Sequence, residues 1–168
     1  MIVELTLAFV QVLAAYVLVD AMTGVYHLAT DRGWNTKEVC GLFQNHHETN
    51  TMDGFDSQPM WISVPFMVAG VYFLSPFLLA AGSFGVLSQI PHYYAHRRSD
   101  NRYVHRVVRW MQATGLILPP LEHAGHHDGR FEKNFCILSG WNNWWLNYLA
   151  HLTQFNSNAS STTHFPPT

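Results

Sequence analysis

The sequence predicts an all-α integral membrane protein. Only 12% of its residues are charged, about half the share usual for soluble domains, whereas 48% are hydrophobic. Residues 5–28 contain, tyrosine aside, only two ionisable side chains, Asp20 and His27, and about 20 apolar residues are enough to cross the hydrocarbon layer. Residues 57–95 contain no Asp, Glu, Lys or Arg. We therefore expect a first membrane span over residues 5–28 and further embedded helices over residues 57–95.

The length of 168 residues suits one domain. We expect residues 1–155 to form a membrane-embedded domain and residues 156–168, rich in Ser, Thr and Pro, to have no fixed structure. The first span has no basic n-region and exceeds a usual signal h-region, so we expect it to remain in the protein. The net charge of -2 argues against a nucleic-acid partner. Cys40 and Cys136 form neither a disulfide framework nor a zinc pattern, and we expect both to be reduced.

The long apolar segment must bend. As one helix, residues 57–95 would be roughly 58 Å long, nearly twice the bilayer core. Pro76, with glycines nearby, offers a break. We expect a hairpin of two short passes, out from Met60 and back to Gln89.

Two further apolar stretches are too short or too polar to cross. Residues 110–121 would make a helix of roughly 18 Å, which suits a re-entrant or interfacial piece ended by Pro119 and Pro120. Residues 141–155 are rich in Trp and Asn and suit a helix at the headgroup level.

The basic residues indicate the orientation of the chain. They follow the first span and the hairpin, so by the positive-inside rule both loops lie on the cytoplasmic side. We expect Arg97 and Arg98 to be membrane-interface anchors. The basic residues in these loops are Arg32, Lys37, Arg97, Arg98, Arg102, Arg106 and Arg109.

Histidine is the unusual residue of this sequence. There are 11 histidines against nine Lys plus Arg, and neither a core nor a surface needs so many imidazoles. His105, His151 and His164 are isolated and are assigned to surface or tail roles. The other eight form four clusters: His27; His46 and His47; His92 and His96; and His123, His126 and His127.

The spacing within each cluster favours metal binding. On a helix, Asp20, Gly24, His27 and Asp31 line one stripe, although a lone membrane histidine is as often a hydrogen-bonded helix contact. Gln89, His92 and His96 form a second stripe, in which imidazoles at i and i+4 can hold one ion. Neighbouring helical residues diverge by about 100°, so His46 and His47 could serve two different metals. The HxxHH cluster places three histidines within five residues.

Eight imidazoles exceed what one ion of four to six ligands can use, and they suit two ions. Ligand type alone leaves iron, copper and zinc open. The predicted hairpin brings all four clusters to the cytoplasmic ends of the helices, in agreement with the basic residues. The sequence therefore predicts a two-metal site on that face.

At these residues the chain resembles the Kua, or plasmanylethanolamine desaturase, family of membrane lipid desaturases. The resemblance runs from about residue 20 to residue 147, and the order and spacing of its four segments are specific. The segments are DAMTGVYHLATD at 20–31, FQNHHETNTMDGFD at 43–56, QIPHYYAH at 89–96 and LPPLEHAGHHDGRFEKNFCILSGWNN at 118–143.

The resemblance implies an O2-dependent enzyme that places a double bond in the alkyl or acyl chain of a membrane lipid. It implies two iron ions held by the eight clustered histidines, and electrons from a carrier such as cytochrome b5 or ferredoxin. The residues that could orient these ligands or fill a remaining coordination position are Asp20, Asp31, Gln89 and Asn143.

Two alternatives remain open at this point. A di-iron lipid hydroxylase would use an equivalent centre and differ in its product. A non-catalytic membrane metal-binding or transport protein would be expected to line a path with histidines, whereas here they gather at the ends of spans. A structural protein with incidental histidines would not explain the repeated stripes.

Overall fold

The computed structural model describes residues 1–34, 36–37, 46–48, 58–97, 101–128 and 131–161. Within those residues the regular structure is helical and contains no strand, so the predicted all-α class is confirmed. Cys40, Arg98 and His164 lie outside the described residues. The long helices and the helices of the histidine clusters are α1 (Ile2–Asp31), α2 (Gln58–Tyr72), α3 (Pro76–Leu87), α4 (Gln89–His96), α5 (Arg102–Ala113), α6 (Pro120–His127) and α7 (Asn143–Ser161).

Helix α1 contains the predicted first span. It has 30 residues, about 45 Å at the usual helical rise. By length and composition alone, it is the one helix in the described part of the chain that could cross a membrane. Many of its large apolar side chains are exposed, such as Phe9 at 67%, whereas its buried stripe includes Asp20, Gly24 and His27. That stripe packs against the rest of the described chain.

Helices α2 and α3 form the predicted hairpin. The chain turns at Leu74, whose φ is 50°, and the Ser75 side chain caps α3 by accepting a hydrogen bond from the Leu78 amide at 3.3 Å. The arms pack closely, since a Cβ added to Gly70 would lie 2.4 Å from the Leu79 amide nitrogen. Each arm is nonetheless shorter than the hydrocarbon layer, at about 22 Å and 18 Å against about 30 Å.

The prediction of one helix over residues 110–121 is wrong. Asn101 caps α5 by accepting from the amides of Tyr103 and Val104, and the helix ends at Ala113, shortly before Gly115 with φ 70°. Pro120 is the first residue of α6. The prolines therefore begin the next helix, because a proline at the first position loses no helical hydrogen bond.

The last helix runs past its predicted end. Helix α7 continues to Ser161, so residues 156–161, expected to have no fixed structure, are helical in their backbone. Residues 162–168 lie outside the described residues.

A non-helical segment, residues 131–142, lies between α6 and α7, and its residues 135–139 are buried. Phe135 and Cys136 are fully buried there, and they form a core with Leu28 of α1 and with Leu146 and Ala150 of α7. The free thiol of Cys136 is part of that core. Gly24 is needed at this contact, because an added Cβ would lie 2.4 Å from Leu146 and 2.7 Å from Cys136.

Candidate metal centre

All eight clustered histidines and Asp31 come together, and the ligand atoms of seven of these histidines and Asp31 form two groups. Within each group one ligand atom from every residue lies within 4.8 Å of the others. The first group is His46, His92, His96 and His123; the second group is His27, Asp31, His47 and His126. His127 lies beside the first group, with its Nε2 3.1 Å from the Nε2 of His123.

The helices position these side chains as the spacing predicted. Helix α4 presents His92 and His96 one turn apart to the same group. The neighbours His46 and His47 divide between the two groups, because adjacent helical side chains diverge by about 100°. The HxxHH cluster on α6 likewise contributes to both groups, which places the groups side by side.

In the first group, imidazole nitrogens converge on one point. The Nε2 of His123 lies 3.1 Å from that of His92 and 2.6 Å from that of His96. A neutral imidazole has only one N–H, so hydrogens cannot satisfy every nitrogen in such a cluster. A cation between them would satisfy all the lone pairs at once.

In the second group, the nitrogens surround a buried carboxylate. The Asp31 side chain is 2% exposed, and its oxygens lie 3.8 Å from His27, 3.6 Å from His47 and 3.5 Å from His126. Neither oxygen accepts a hydrogen bond from any described residue. In its charged form, a buried carboxylate without donors is costly unless it pairs with a cation. Asp31, predicted as a possible extra ligand, is therefore placed as a full member of this group.

Backbone carbonyls of residues 131–142 orient two of these rings. The Nδ1–H of His126 donates to the Lys133 carbonyl at 2.7 Å, and that of His27 donates to the Phe135 carbonyl at 3.0 Å. A ring that donates through Nδ1 leaves its Nε2 lone pair for a metal. Both Nε2 atoms face that of His47, at 3.3 and 3.4 Å.

The imidazoles are held in the neutral, metal-binding form. Burial, with smaller contributions from neighbouring histidines, lowers the pKa of His47 and of His127 to about 3. Burial lowers the pKa of His126 to about 4, although the hydrogen bond to the Lys133 carbonyl acts in the opposite direction. Burial also holds the pKa of His123 well below its usual range. At pH 7 these rings need lose no proton to bind a metal.

The donor sets fit metal ions. Metal–nitrogen bonds of about 2.1 Å place opposite ligands about 4.2 Å apart, and the ligand atoms of each group lie within 4.8 Å of one another. Nitrogen and carboxylate ligands without thiolate suit iron, and they also suit zinc. Each group can therefore hold one ion after small movements of its side chains.

Comparison with known proteins identifies a family for this chain. A model of the lipid desaturase domain family matches residues 16–167. The chain belongs to this family. The lipid desaturase resemblance found at the four histidine segments is thereby confirmed.

This lipid desaturase domain has relatives among characterised enzymes. It is 31% identical over 147 residues to fatty acid desaturase 4, chloroplastic, of Arabidopsis thaliana, covering 77% of this chain and 45% of the relative. It is 29% identical over 154 residues to plasmanylethanolamine desaturase of Myxococcus xanthus, covering 79% and 53%. The chain thus spans about half the length of these relatives. No solved structure shows a significant match.

The desaturase domain uses two of the predicted supporting residues to hold residues 131–142. The Asp20 carboxylate accepts backbone hydrogen bonds from Ser139, Gly140 and Asn142 at 2.7–3.1 Å. The Asn143 side chain accepts from the Cys136 amide at 2.9 Å and donates to Glu122 of α6 at 3.2 Å. Both residues therefore act on the segment behind the histidines.

The other predicted residues have varied positions. Gln89 is 3% exposed, and its Oε1 has no hydrogen-bond partner among the described residues. His105 lies half-buried on α5, and His151 is exposed on α7.

Phe131 is a site residue that the sequence analysis missed. Its ring stacks on His47, with centroids 3.9 Å apart and planes 9° apart, and it also contacts His126. Its φ is 54°, a left-handed conformation that is uncommon for a bulky residue and often marks a functional position. The only available signal was its place four residues after the HxxHH cluster.

Proposed function

We propose that this lipid desaturase domain introduces a double bond into the alkyl or acyl chain of a membrane lipid, using O2 and two iron ions. The observation that carries the proposal is the convergence of two ligand groups in a chain of this family. The proposed ligands are Asp31, His27, His46, His47, His92, His96, His123, His126 and His127.

The chain's own residues prepare the centre. Iron, when bound, would activate O2, the oxidant that removal of hydrogen from a methylene requires, because side-chain acids and bases cannot cleave such bonds. Asp31 would reduce the net positive charge of the second group when it holds an ion. The Lys133 and Phe135 carbonyls fix the orientation of the His126 and His27 rings. Phe131 covers one side of His47 and would limit access of water.

The lipid substrate is proposed from the relatives and from the surface of the chain. The two relatives carry the names of a fatty acid desaturase and a plasmanylethanolamine desaturase. The exposed apolar side chains of α1 suit hydrocarbon. We infer an integral membrane protein whose centre lies on the cytoplasmic side, with electrons from a carrier such as cytochrome b5 or ferredoxin.

Lipid analysis of a host expressing the chain tests this function. We expect a new unsaturated lipid with the wild-type chain and none with His126→Ala or His92→Ala, although both variants should still insert in the membrane. His164→Ala, outside all four clusters, is the matched control and should retain the product. A hydroxylated lipid in place of the unsaturated one would contradict the desaturase function.

A further inference from the structure

A cavity adjoins the candidate metal centre. It has a volume of about 440 Å³, and residues of α4 and α5 form most of its wall. His96, a member of the first group, is part of that wall. A molecule in the cavity would therefore lie next to the proposed centre.

The wall of this cavity is positively charged. Arg97 and Arg109 line it together with His105, and the described residues that line it include no Asp or Glu. A concave surface with charges of one sign concentrates its electric field. The cavity should therefore attract an anion.

The wall is built on fixed helices. His105, Arg109 and Gln112 lie at i, i+4 and i+7 of α5 and so share one face. The buried Gln112 side chain donates to the Tyr94 carbonyl of α4 at 3.3 Å, which joins the two helices. Both arginines are exposed, so a ligand can reach them from the solvent.

We propose that this cavity binds the phosphate of the lipid substrate's headgroup, with Arg97 and Arg109 paired to phosphate oxygens. The proposal rests on the proposed function. The planar guanidinium matches the geometry of a phosphate, and the volume lies within the range of about 300–1,000 Å³ of small-molecule sites. Arg97, expected from the sequence to be only an interface anchor, thereby gains a role in substrate binding.

Binding by the full chain in an uncharged detergent tests the site without turnover. The ligands are dihexanoylphosphatidylethanolamine and dihexanoylglycerol, which share acyl chains and differ in the phosphate headgroup. We expect the wild-type chain to prefer the phospholipid by about tenfold or more. Arg97→Gln and Arg109→Gln should each reduce this preference. Arg106→Gln removes the same charge from an exposed position on α5 that does not line the cavity, and it should preserve the preference.

Three results would overturn the proposal. One is equal affinity of the wild-type chain for the two lipids. Another is an equal loss of preference in Arg106→Gln and Arg109→Gln, which would indicate diffuse charge. The third is displacement of the phospholipid by inorganic phosphate or hexanoate as effectively as by unlabelled phospholipid. This binding assay contains no electron donor and does not report turnover. A retained preference here, together with no unsaturated lipid in the expressing host, would refute the proposed function and leave this site intact.

Discussion

Single residues of the centre are arranged around positions that a cation would satisfy. Asp31 is the clearest case, because its carboxylate is buried among three histidines and accepts no hydrogen bond from the described residues. Burying a charged carboxylate without a partner costs on the order of several kcal/mol. A metal ion removes that cost and links the stability of this region to metal binding.

Asp31→Asn should therefore weaken metal binding at the second group. The amide keeps the size of the side chain but loses the negative charge, so we expect iron content to fall towards about half of the wild-type value. Asp128→Asn, the same change at an exposed position after α6, is the control. Wild-type iron content in Asp31→Asn would show that this carboxylate is no ligand.

Phe131 should slow the loss of metal from the second group. Phe131→Ala removes the ring stacked on His47, so we expect severalfold faster extraction of metal by a chelator, measured as a rate. Phe131→Tyr keeps the ring and should behave as the wild type. Equal rates in all three proteins would contradict a shielding role.

At the scale of elements, residues 131–142 connect the histidines to the rest of the fold. This segment has no regular structure, yet residues 135–139 within it are buried, so their backbone groups need side-chain partners. Asp20 of α1 and Asn143 of α7 provide several of them. In turn, the segment provides the carbonyls that orient His27 and His126.

Asp20→Asn should destabilise this arrangement. One oxygen of the carboxylate accepts hydrogen bonds from the backbone N–H and from the side-chain N–H of Asn142. The side-chain NH2 of an asparagine at position 20 would place its own donors against these N–H donors. We expect the free energy of unfolding to fall by about 1–3 kcal/mol, which would be measured as a lower thermal midpoint in detergent. Glu132→Gln, at an exposed position of the same segment, should leave the midpoint unchanged. An unaltered midpoint in Asp20→Asn would contradict the structural role.

Local spacing was enough to predict much of the site. Residues one turn apart or adjacent, such as His92 with His96 and His46 with His47, have side-chain directions fixed by helix geometry. Contacts across the chain were not predictable in this way. Asp20 and Asp31 lie on one stripe of α1, yet Asp20 binds the backbone of residues 131–142, whereas Asp31 lies among the histidines. This difference depends on where a segment about 100 residues later in the chain is placed.

The helix boundaries show the same limit. The apolar run at residues 110–121 indicated a helix, but Gly115 adopts a positive φ and interrupts it. Because Asn101 caps α5, this helix begins at Arg102, eight residues before the predicted start. An apolar run indicates which residues avoid water, whereas capping side chains and glycine conformation determine where a helix begins and ends.

At the scale of the whole molecule, exposed apolar helices surround a small polar centre. The core of buried apolar side chains is small, whereas α1 exposes many large ones. That distribution suits a chain whose helices are partly in contact with the hydrocarbon core of a membrane. Among the described residues, the two groups of ligand atoms lie where side chains of α1, α4 and α6 meet.

Metal analysis of the purified chain tests the central claim, a two-ion iron centre, most directly. Iron and zinc are measured by mass spectrometry against protein concentration from amino-acid analysis. The account predicts about two iron ions per chain, because the two ligand groups each suit one ion. One zinc ion per chain with no iron would contradict it.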